Sequence, residues 1–486
     1  MNIKVHSGTH KIGGCVTEYE YNGWHLFVDY GEELPGAEKS GDLEVEGLTK
    51  GDISNSALLI THYHGDHIGC ITKLPKDLTI YMGKVGRDIQ MGLSDHLKLV
   101  DGVHQEMFDR LQTVKTFEPG KPFKWGDLNI MPVTVDHSAF DAYAFKIEAD
   151  GVSAFHTGDF RTHGFRSSKL PDVINKFVGE VDYVVCEATN VARPNAASKS
   201  EHDLQMEYQN RFAKNKGNVV YVSSTNIDRL FGLYHAARYN DQVFIIDEYQ
   251  KSIMDIVTQR DSLWGKSKLY KFKESYPPFV LSIVNGEFWM NDKLKKLLQD
   301  KGYVLIARSN PRFDKLIANI PGEKKTFLSM WNGYVDKSKA AYNEKLAKSL
   351  GEDYIPEHTS GHCDMNSLRE VICLLHPKAI IPIHTDNPED FAQLFSDEWP
   401  IIVLNDGDGI SPISPRIVDS IYPMVISGRT KKCLGYFRKE EDAKSILSHT
   451  VFHPDKQTKY EIWDEEDFAS KKLSSGFLSE LKDKSE

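Results

Sequence analysis

Four side chains able to bind a metal fall within six positions of the stretch Thr61-His62-Tyr63-His64-Gly65-Asp66-His67-Ile68-Gly69. Imidazoles joined by a carboxylate are the usual ligands of zinc and related ions, and such ions activate water for hydrolysis. The run Ala57-Leu58-Leu59-Ile60 just before the cluster is short, apolar and bounded by polar residues, so it reads as a buried strand with the cluster on the turn at its end. Side chains alternate along extended chain, so His62 and His64 point the same way and can share one ion. Gly65 allows a sharp turn, after which Asp66 and His67 face a second ion beside the first. One histidine would read as an ordinary loop residue; three with an aspartate after a strand read as a metal site.

This His-x-His-x-Asp-His string resembles the signature of the metallo-β-lactamase superfamily, and the resemblance implies distant ligands at the ends of later strands. His137 stands where a third ligand to the first ion would be needed, after the β-like run that ends in Thr134-Val135. Asp159, just past Val152-Ser153-Ala154-Phe155-His156 and Gly158, is placed to bridge the two ions. Asp29 ends an earlier strand and is expected to brace the metal loop by hydrogen bonds rather than to ligate.

The elements that must position these residues follow an α/β pattern. Two β-rich segments around Asn22-Gly23 give a strong hairpin signal. Ile68 to Thr72 is expected to open a helix, and Leu78 to Met82 to form the next strand. Lys84 to Val114 is helical by pattern, with Leu93, Leu97, Val100 and Met107 as its apolar stripe. Phe123 to Val135 carries a second hairpin signal at Gly126-Asp127.

At Tyr183-Val184-Val185-Cys186-Glu187-Ala188-Thr189-Asn190 the resemblance narrows to the β-CASP branch, and to the ribonuclease J family within it. Glu187 would be the acidic member of that branch, with a carboxylate capping the next turn as the competing role. Short β-branched strands at Val219 to Ser223, Val243 to Asp247 and Tyr303 to Ala307, separated by helices such as Ile227 to Tyr239 and Asp292 to Lys301, predict a parallel sheet in an inserted lobe. Nothing in the lobe makes a P-loop or dinucleotide fingerprint, so no nucleotide cofactor is inferred. The chain returns through His358-Thr359-Ser360-Gly361-His362 and Pro382-Ile383-His384, which resemble the later β-CASP motifs. His384 would complete the second ion's ligands. Ser360 and Gly361 are read as a helix N-terminus offering backbone N–H groups to a substrate phosphate, with His358 as a further substrate contact.

The fold expected is therefore a metallo-β-lactamase αββα sandwich over 1–195 and 351–415, with an inserted α/β β-CASP domain over 196–350 and a C-terminal appendage over 416–486. His62, His64 and His137 would hold one divalent ion, Asp66, His67 and His384 the other, with Asp159 between them. Zinc is the expected metal and manganese the alternative. His362, oriented by Glu187, would give a proton to the leaving oxygen, and Asp66 also belongs to the catalytic set.

A net charge of −11 argues against a broadly basic nucleic-acid-binding surface but leaves room for a local groove, where bound ions add positive charge. Six scattered cysteines without a CxxC, and an opening Met1-Asn2-Ile3-Lys4-Val5-His6 without an apolar signal region, imply a reduced cytoplasmic setting. No apolar run approaches the roughly 18 residues that span a bilayer, so no membrane partner is expected. The resemblance implies a ribonuclease with RNA held between the lobes, and a homodimer is left open. A hydrolase of small esters, thioesters or phosphodiesters is the rival; a silent scaffold would show broken ligands, and none is broken here. One departure from the ribonuclease J pattern is Ser329-Met330-Trp331-Asn332-Gly333-Tyr334, where that family has a Gly- and Gln-rich stretch.

Overall fold

The computed structural model describes residues 1–36, 43–196, 198–258 and 268–411, and beyond these only the strands Tyr422–Ser427, Cys433–Phe437 and Lys459–Ile462, which pair into one antiparallel sheet. The rest of the expected 416–486 appendage lies outside the described residues.

Strands β1 (Asn2–Ser7), β2 (Val16–Tyr21), β3 (Trp24–Val28), β4 (Ser56–Ile60), β5 (Thr79–Gly83) and β6 (Lys115–Phe117) form one sheet in chain order. The β2–β3 hairpin turns on Asn22 and Gly23, both at positive φ (52° and 74°), the backbone that a two-residue turn demands. From β3 onward the pairing is parallel, and β4 is buried along its whole length, as an apolar Ala-Leu-Leu-Ile strand covered on both faces must be. The second sheet runs β7 (Phe123–Trp125), β8 (Leu128–Val135), β9 (Ala142–Ala149), β10 (Val152–His156) and β11 (Tyr183–Glu187).

The two sheets share a core in which Leu26, Val28 and Leu59 meet Ile130, Phe145, Ala154 and Val185. Helices α2 (Lys84–Leu97) and α3 (Gly102–Thr113) cover the first sheet, and α4 (Leu170–Phe177) covers the second. This gives four layers, helix, sheet, sheet and helix.

Between β11 and the return segment, five parallel pairings join β12 (Gly217–Tyr221), β13 (Val243–Asp247), β14 (Phe279–Leu281), β17 (Tyr303–Ala307), β18 (Lys324–Leu328) and β19 (Tyr354–Pro356) into a separate sheet. The two-residue strands β15 (Ile283–Val284) and β16 (Glu287–Phe288) form a ribbon beside it. The lobe's sheet thus reaches Pro356, beyond residue 350. Helices α5 (Glu201–Lys214), α6 (Ile227–Tyr239) and α7 (Glu248–Thr258) put Leu204, Phe231 and Ile253 into the same core cluster as Ile60, Tyr63 and Ile89, so the lobe is packed onto the sandwich. After the lobe's α8 (Asp292–Lys301), α9 (Pro311–Asn319) and α10 (Glu344–Leu350), the return supplies α11 (Met365–Leu375) and β20 (Ala379–Ile383), which pairs with β11; β21 (Gly409–Ile410) then closes the far edge of the first sheet against β1. No helix among the described residues is long and apolar enough to cross a membrane.

Two local expectations are corrected. The helix expected to open across Ile68–Thr72 begins earlier and is one turn long: α1 spans Gly65–Ile68 and carries Asp66 and His67. It stops because the carbonyls of Asp66 and His67 accept hydrogen bonds from the N–H groups of Gly14 and Tyr30, while the Gly65 carbonyl keeps its helical bond from Gly69 N and also accepts from Glu32 N. Gly65 is therefore an ordinary helical residue. The glycine this turn requires is Gly31, where a Cβ would lie 1.8 Å from the Asp66 carbonyl. Nor does the apolar stripe of Lys84 to Val114 run unbroken, because the chain leaves α2 at Leu97 and Val100 is 75% exposed in the link to α3.

Candidate metal centre

Five strands of the sandwich deliver their ends to one edge. β4 delivers His62 and His64, β8 delivers His137, β10 delivers Asp159, β11 ends in Glu187 and β20 leads into His384. In parallel neighbours such as β10, β11 and β20, equivalent ends lie side by side, so residues far apart in sequence converge.

Two groups of ligand-capable atoms hold the expected ligands, each with its members within 4.8 Å of one another: His62, His64 and His137, and then Asp66, His67, Asp159 and His384; a third group of the same closeness, Glu187 with His362 and His384, adjoins the second. In the first, His64 Nδ1 lies 3.1 Å from both His62 Nε2 and His137 Nε2. In the second, His384 Nε2 is 3.3 Å from Asp66 Oδ2, and His67 Nε2 is 3.1 Å from Asp159 Oδ2. That same Asp159 oxygen is 4.0 Å from His62 Nε2, so Asp159 stands between the groups.

The donor chemistry fits metal ions. Four of the imidazoles have Nδ1 fixed by an acceptor: His62 by Thr61 Oγ1 (3.0 Å), His67 by Asp29 Oδ2 (2.7 Å), His137 by the Gly361 carbonyl (2.6 Å) and His384 by Thr189 Oγ1 (2.8 Å). The Thr61 hydroxyl donates to Asp29 and the Thr189 hydroxyl to the His384 carbonyl, so each hydroxyl oxygen accepts from its imidazole. With the proton on Nδ1, every one of these rings presents an Nε2 lone pair to the cluster. Lone pairs about 3 Å apart repel unless a cation sits among them, and tetrahedral zinc with N at about 2.0–2.1 Å spaces its ligands by roughly that much.

Burial, with neighbouring imidazoles adding to it, pushes His62 and His137 well below the ordinary histidine range and His64 to about 4, which keeps their lone pairs free at neutral pH. His67 goes the other way, since Asp159, Asp66 and Asp29 outweigh its burial and raise it.

Asp29 braces the loop as expected, since its carboxylate also accepts from the Thr61 backbone N–H at 2.7 Å. Glu187 lies 3.3 Å from His362 Nδ1 and accepts backbone N–H groups of Thr189 and Cys363 at 3.2 and 3.3 Å, so it faces the histidine and pins two turns at once. Burial alone would lower the His362 pKa, but Glu187 and Asp159 beside it raise it to about 9.

The placing of Ser360 and Gly361 at a helix start is corrected. Helix α11 begins at Met365, and the Asp364 carboxylate caps it by accepting from Ser367 N, so Ser360 and Gly361 do not lie at a helix N-terminus. They form the turn that holds the histidines. Ser360 Oγ accepts from His362 N, and a Cβ on Gly361 would sit 3.0 Å from the His137 ring and 2.7 Å from Ser138 Oγ. His358 is exposed, lies in neither ligand group, and has Arg229, Glu201 and Arg161 as its charged neighbours.

Sequence patterns gave no sign of a buried ionic network behind the ligands. Arg161, fully buried, contacts Asp136, Glu201 and Asp228 at 2.8 Å each; Arg229 pairs with Glu201 through two nitrogens at 2.9 Å, and Arg166 lies 3.5 Å from Asp228. Asp136 precedes His137 and Arg161 follows Asp159 by two residues, while Glu201 and Asp228 belong to α5 and α6. The network ties ligand-bearing turns to the inserted lobe. Arg161 was visible beside Asp159, but nothing in a linear pattern reports burial of charge.

Comparison with known proteins agrees with this geometry. A model of the beta-lactamase superfamily domain matches residues 51–210, and one of the Zn-dependent metallo-hydrolase RNA specificity domain matches 356–404. Between them these spans hold every ligand-capable residue described above. The chain is 22% identical over 449 residues to ribonuclease J of Helicobacter pylori (strain B128), covering 87% of this chain and 62% of that protein. It is 22% identical over 373 residues to ribonuclease J of Sinorhizobium meliloti, covering 74% and 63%. The chain thus spans about 62–63% of the length of these curated relatives. A solved protein of unknown function from Enterococcus faecalis V583 shares the fold, with a TM-score of 0.64, 20% identity, and coverage of 84% of this chain and 99% of that one.

Proposed function

We propose that this chain, a metallo-β-lactamase-superfamily protein of the β-CASP branch resembling ribonuclease J, hydrolyses phosphodiester bonds of RNA with the help of two divalent cations. The observation that carries this is Asp159 standing between two complete donor groups, with the Glu187–His362 pair beside them.

His62, His64 and His137 would hold one cation and Asp66, His67 and His384 the other, with Asp159 shared. When bound, such a pair lowers the pKa of water and neutralises charge gathering on a phosphoryl group. Zinc suits the imidazole-rich set, and manganese the same donors less closely. The protein's own residues do the rest. Asp29, Thr61, Thr189 and the Gly361 carbonyl hold the imidazole tautomers and orient the rings. His362, whose Nδ1 lies 3.3 Å from the Glu187 carboxylate, would give the proton on Nε2 to the departing oxygen. Asn190 Nδ2 donates to the carbonyls of His362 and Cys363 at 3.2 and 3.0 Å and fixes that turn. An intact donor set speaks against a silent scaffold.

The test incubates metal-loaded protein with 5′-monophosphorylated and 5′-hydroxyl RNAs beside a small phosphodiester, with Asp66→Ala as the blank. Cleavage of RNA that Asp66→Ala loses is the expected result. Untouched RNA with brisk hydrolysis of the small diester would overturn it in favour of the small-substrate reading.

A further inference from the structure

The stretch Trp331-Asn332-Gly333-Tyr334 replaces a Gly- and Gln-rich segment and has no part in the chemistry above. It follows β18 and exposes two large aromatic rings, Trp331 at 46% and Tyr334 at 41%, set edge to face with centroids 5.6 Å apart. Single exposed aromatics are commonplace, but this pair is rigidly built. Ser329, just before it, donates its N–H to the Tyr221 carbonyl and its hydroxyl to the Glu357 carbonyl, and accepts from the buried Arg229. Met330 and Val335 pack into the lobe's core on either side. Tyr354 Oη donates to Asn332 Oδ1 at 3.0 Å, and Asn343 N to the Tyr334 carbonyl at 2.7 Å. The indole lies across Gly333, where an added Cβ would stand 2.4 Å from its six-membered ring.

The loop that carries the pair borders the stretch that braces the metal loop. Burial, and after it the charge of Asp66, raises the pKa of the Tyr334 phenol. The loop that follows meets the sandwich at Gly36, where a Cβ would come 2.3 Å from Ala340 Cβ; the same stretch of sandwich holds α1 through Glu32 N. Lys337 and Lys339, both exposed, stand three and five residues beyond Tyr334, on a chain whose net charge is −11. Exposed rings interleaved with cations are the pattern that stacks unpaired bases and follows their phosphates.

We infer that Trp331 and Tyr334 form a stacking platform for an unpaired nucleobase of single-stranded RNA next to the phosphate under attack. This rests on the RNA reading above. The polar and cationic neighbours Asn332 and Lys337 suit a nucleotide better than an apolar peptide or acyl chain.

The test measures KM and kcat for a single-stranded oligoribonucleotide and for the same oligonucleotide with abasic residues flanking the scissile phosphate, using wild type, Trp331→Ala, Tyr334→Ala and Gly333→Ala. Removing either ring should raise KM for the complete RNA roughly 5- to 100-fold with kcat little moved, the range expected for one stacked base. Gly333→Ala should reproduce part of the Trp331→Ala effect, because its methyl displaces the indole. Removing bases from the substrate and the ring from the protein should not add, since each abolishes the same contact. Unchanged KM in both ring variants, or fully additive losses, would overturn the platform while wild-type RNA cleavage leaves the RNA reading standing. A wild type that cleaves no RNA would remove both.

Discussion

Asp29→Asn isolates a single proton at the metal centre. Asp29 Oδ2 accepts the His67 Nδ1 proton at 2.7 Å, and the same carboxylate accepts the N–H and hydroxyl of Thr61 at 2.7 Å each. Asparagine keeps the shape, tolerates the φ of +62° at this position, and can still accept from Thr61 N. Its amide nitrogen, however, donates to His67 Nδ1, so the ring proton must move to Nε2, the atom that would bind the ion. The variant loses one charge-assisted hydrogen bond, worth about 1.5–3 kcal/mol, and gains the cost of the wrong tautomer. The affinity of the cation held by Asp66, His67 and His384 should fall roughly 10- to 100-fold, as is usual when a histidine ligand loses its outer partner. Calorimetric titration of metal-free protein should resolve two sites, of which one weakens while that of His62, His64 and His137 changes little. Unchanged affinity at both sites would refute the tautomer argument, and equal loss at both would refute the assignment of His67 to one ion. Asp29→Ala, strained at a positive φ, serves as the unfolding control, followed by circular dichroism.

Other consequences follow from the same geometry. On the proposed role of His362 as proton donor rather than ligand, His362→Gln should lower kcat on RNA by about 10²- to 10⁴-fold with metal content unchanged by atomic absorption; loss of metal would contradict that role. Arg161→Met removes the cation shared by Asp136, Glu201 and Asp228, leaving Glu201 to Arg229 and Asp136 and Asp228 to the more distant Arg166, and a denaturant midpoint should report about 3–5 kcal/mol of lost stability. Glu18 is held at about 2 because its hydrogen bonds to His25 and His6 outweigh burial, while the Glu18 bond raises His25. A lowered carboxylate stabilises above its unfolded pKa and loses that as pH falls towards 2; a raised histidine stabilises below its unfolded pKa and loses that as pH rises through its folded value. Glu18→Gln should therefore cost most stability between about pH 5 and 6 and less once the pH has risen through the raised His25 value, read from thermal unfolding across pH.

Much of this centre could be read in the chain because each donor directly follows an apolar run. His62 after Ala57-Leu58-Leu59-Ile60, Asp159 after Val152 to His156, and His384 after Ala379 to Ile383 announce strand ends, and strands of one sheet bring their ends together. The β2–β3 turn at Asn22-Gly23 and the helix over Ile227–Tyr239 were likewise local matters, settled by turn chemistry and periodicity. What periodicity could not express is approach in space. Gly31 rather than Gly65 is the indispensable glycine because the Asp66 backbone lies on top of it, a contact between segments 35 residues apart. Ser360 and Gly361 looked like the mouth of a helix, but Asp364 outcompetes them for the cap and leaves them to grip His137 and His362. The Arg161 network depends on charges from four separate segments meeting where water is excluded, and only the folded chain decides which charges those are. The residue types of this protein set what chemistry is available; the packing of lobe on sandwich sets which atoms carry the protons, since burial and a fixed partner, not residue identity, choose the tautomer of an imidazole.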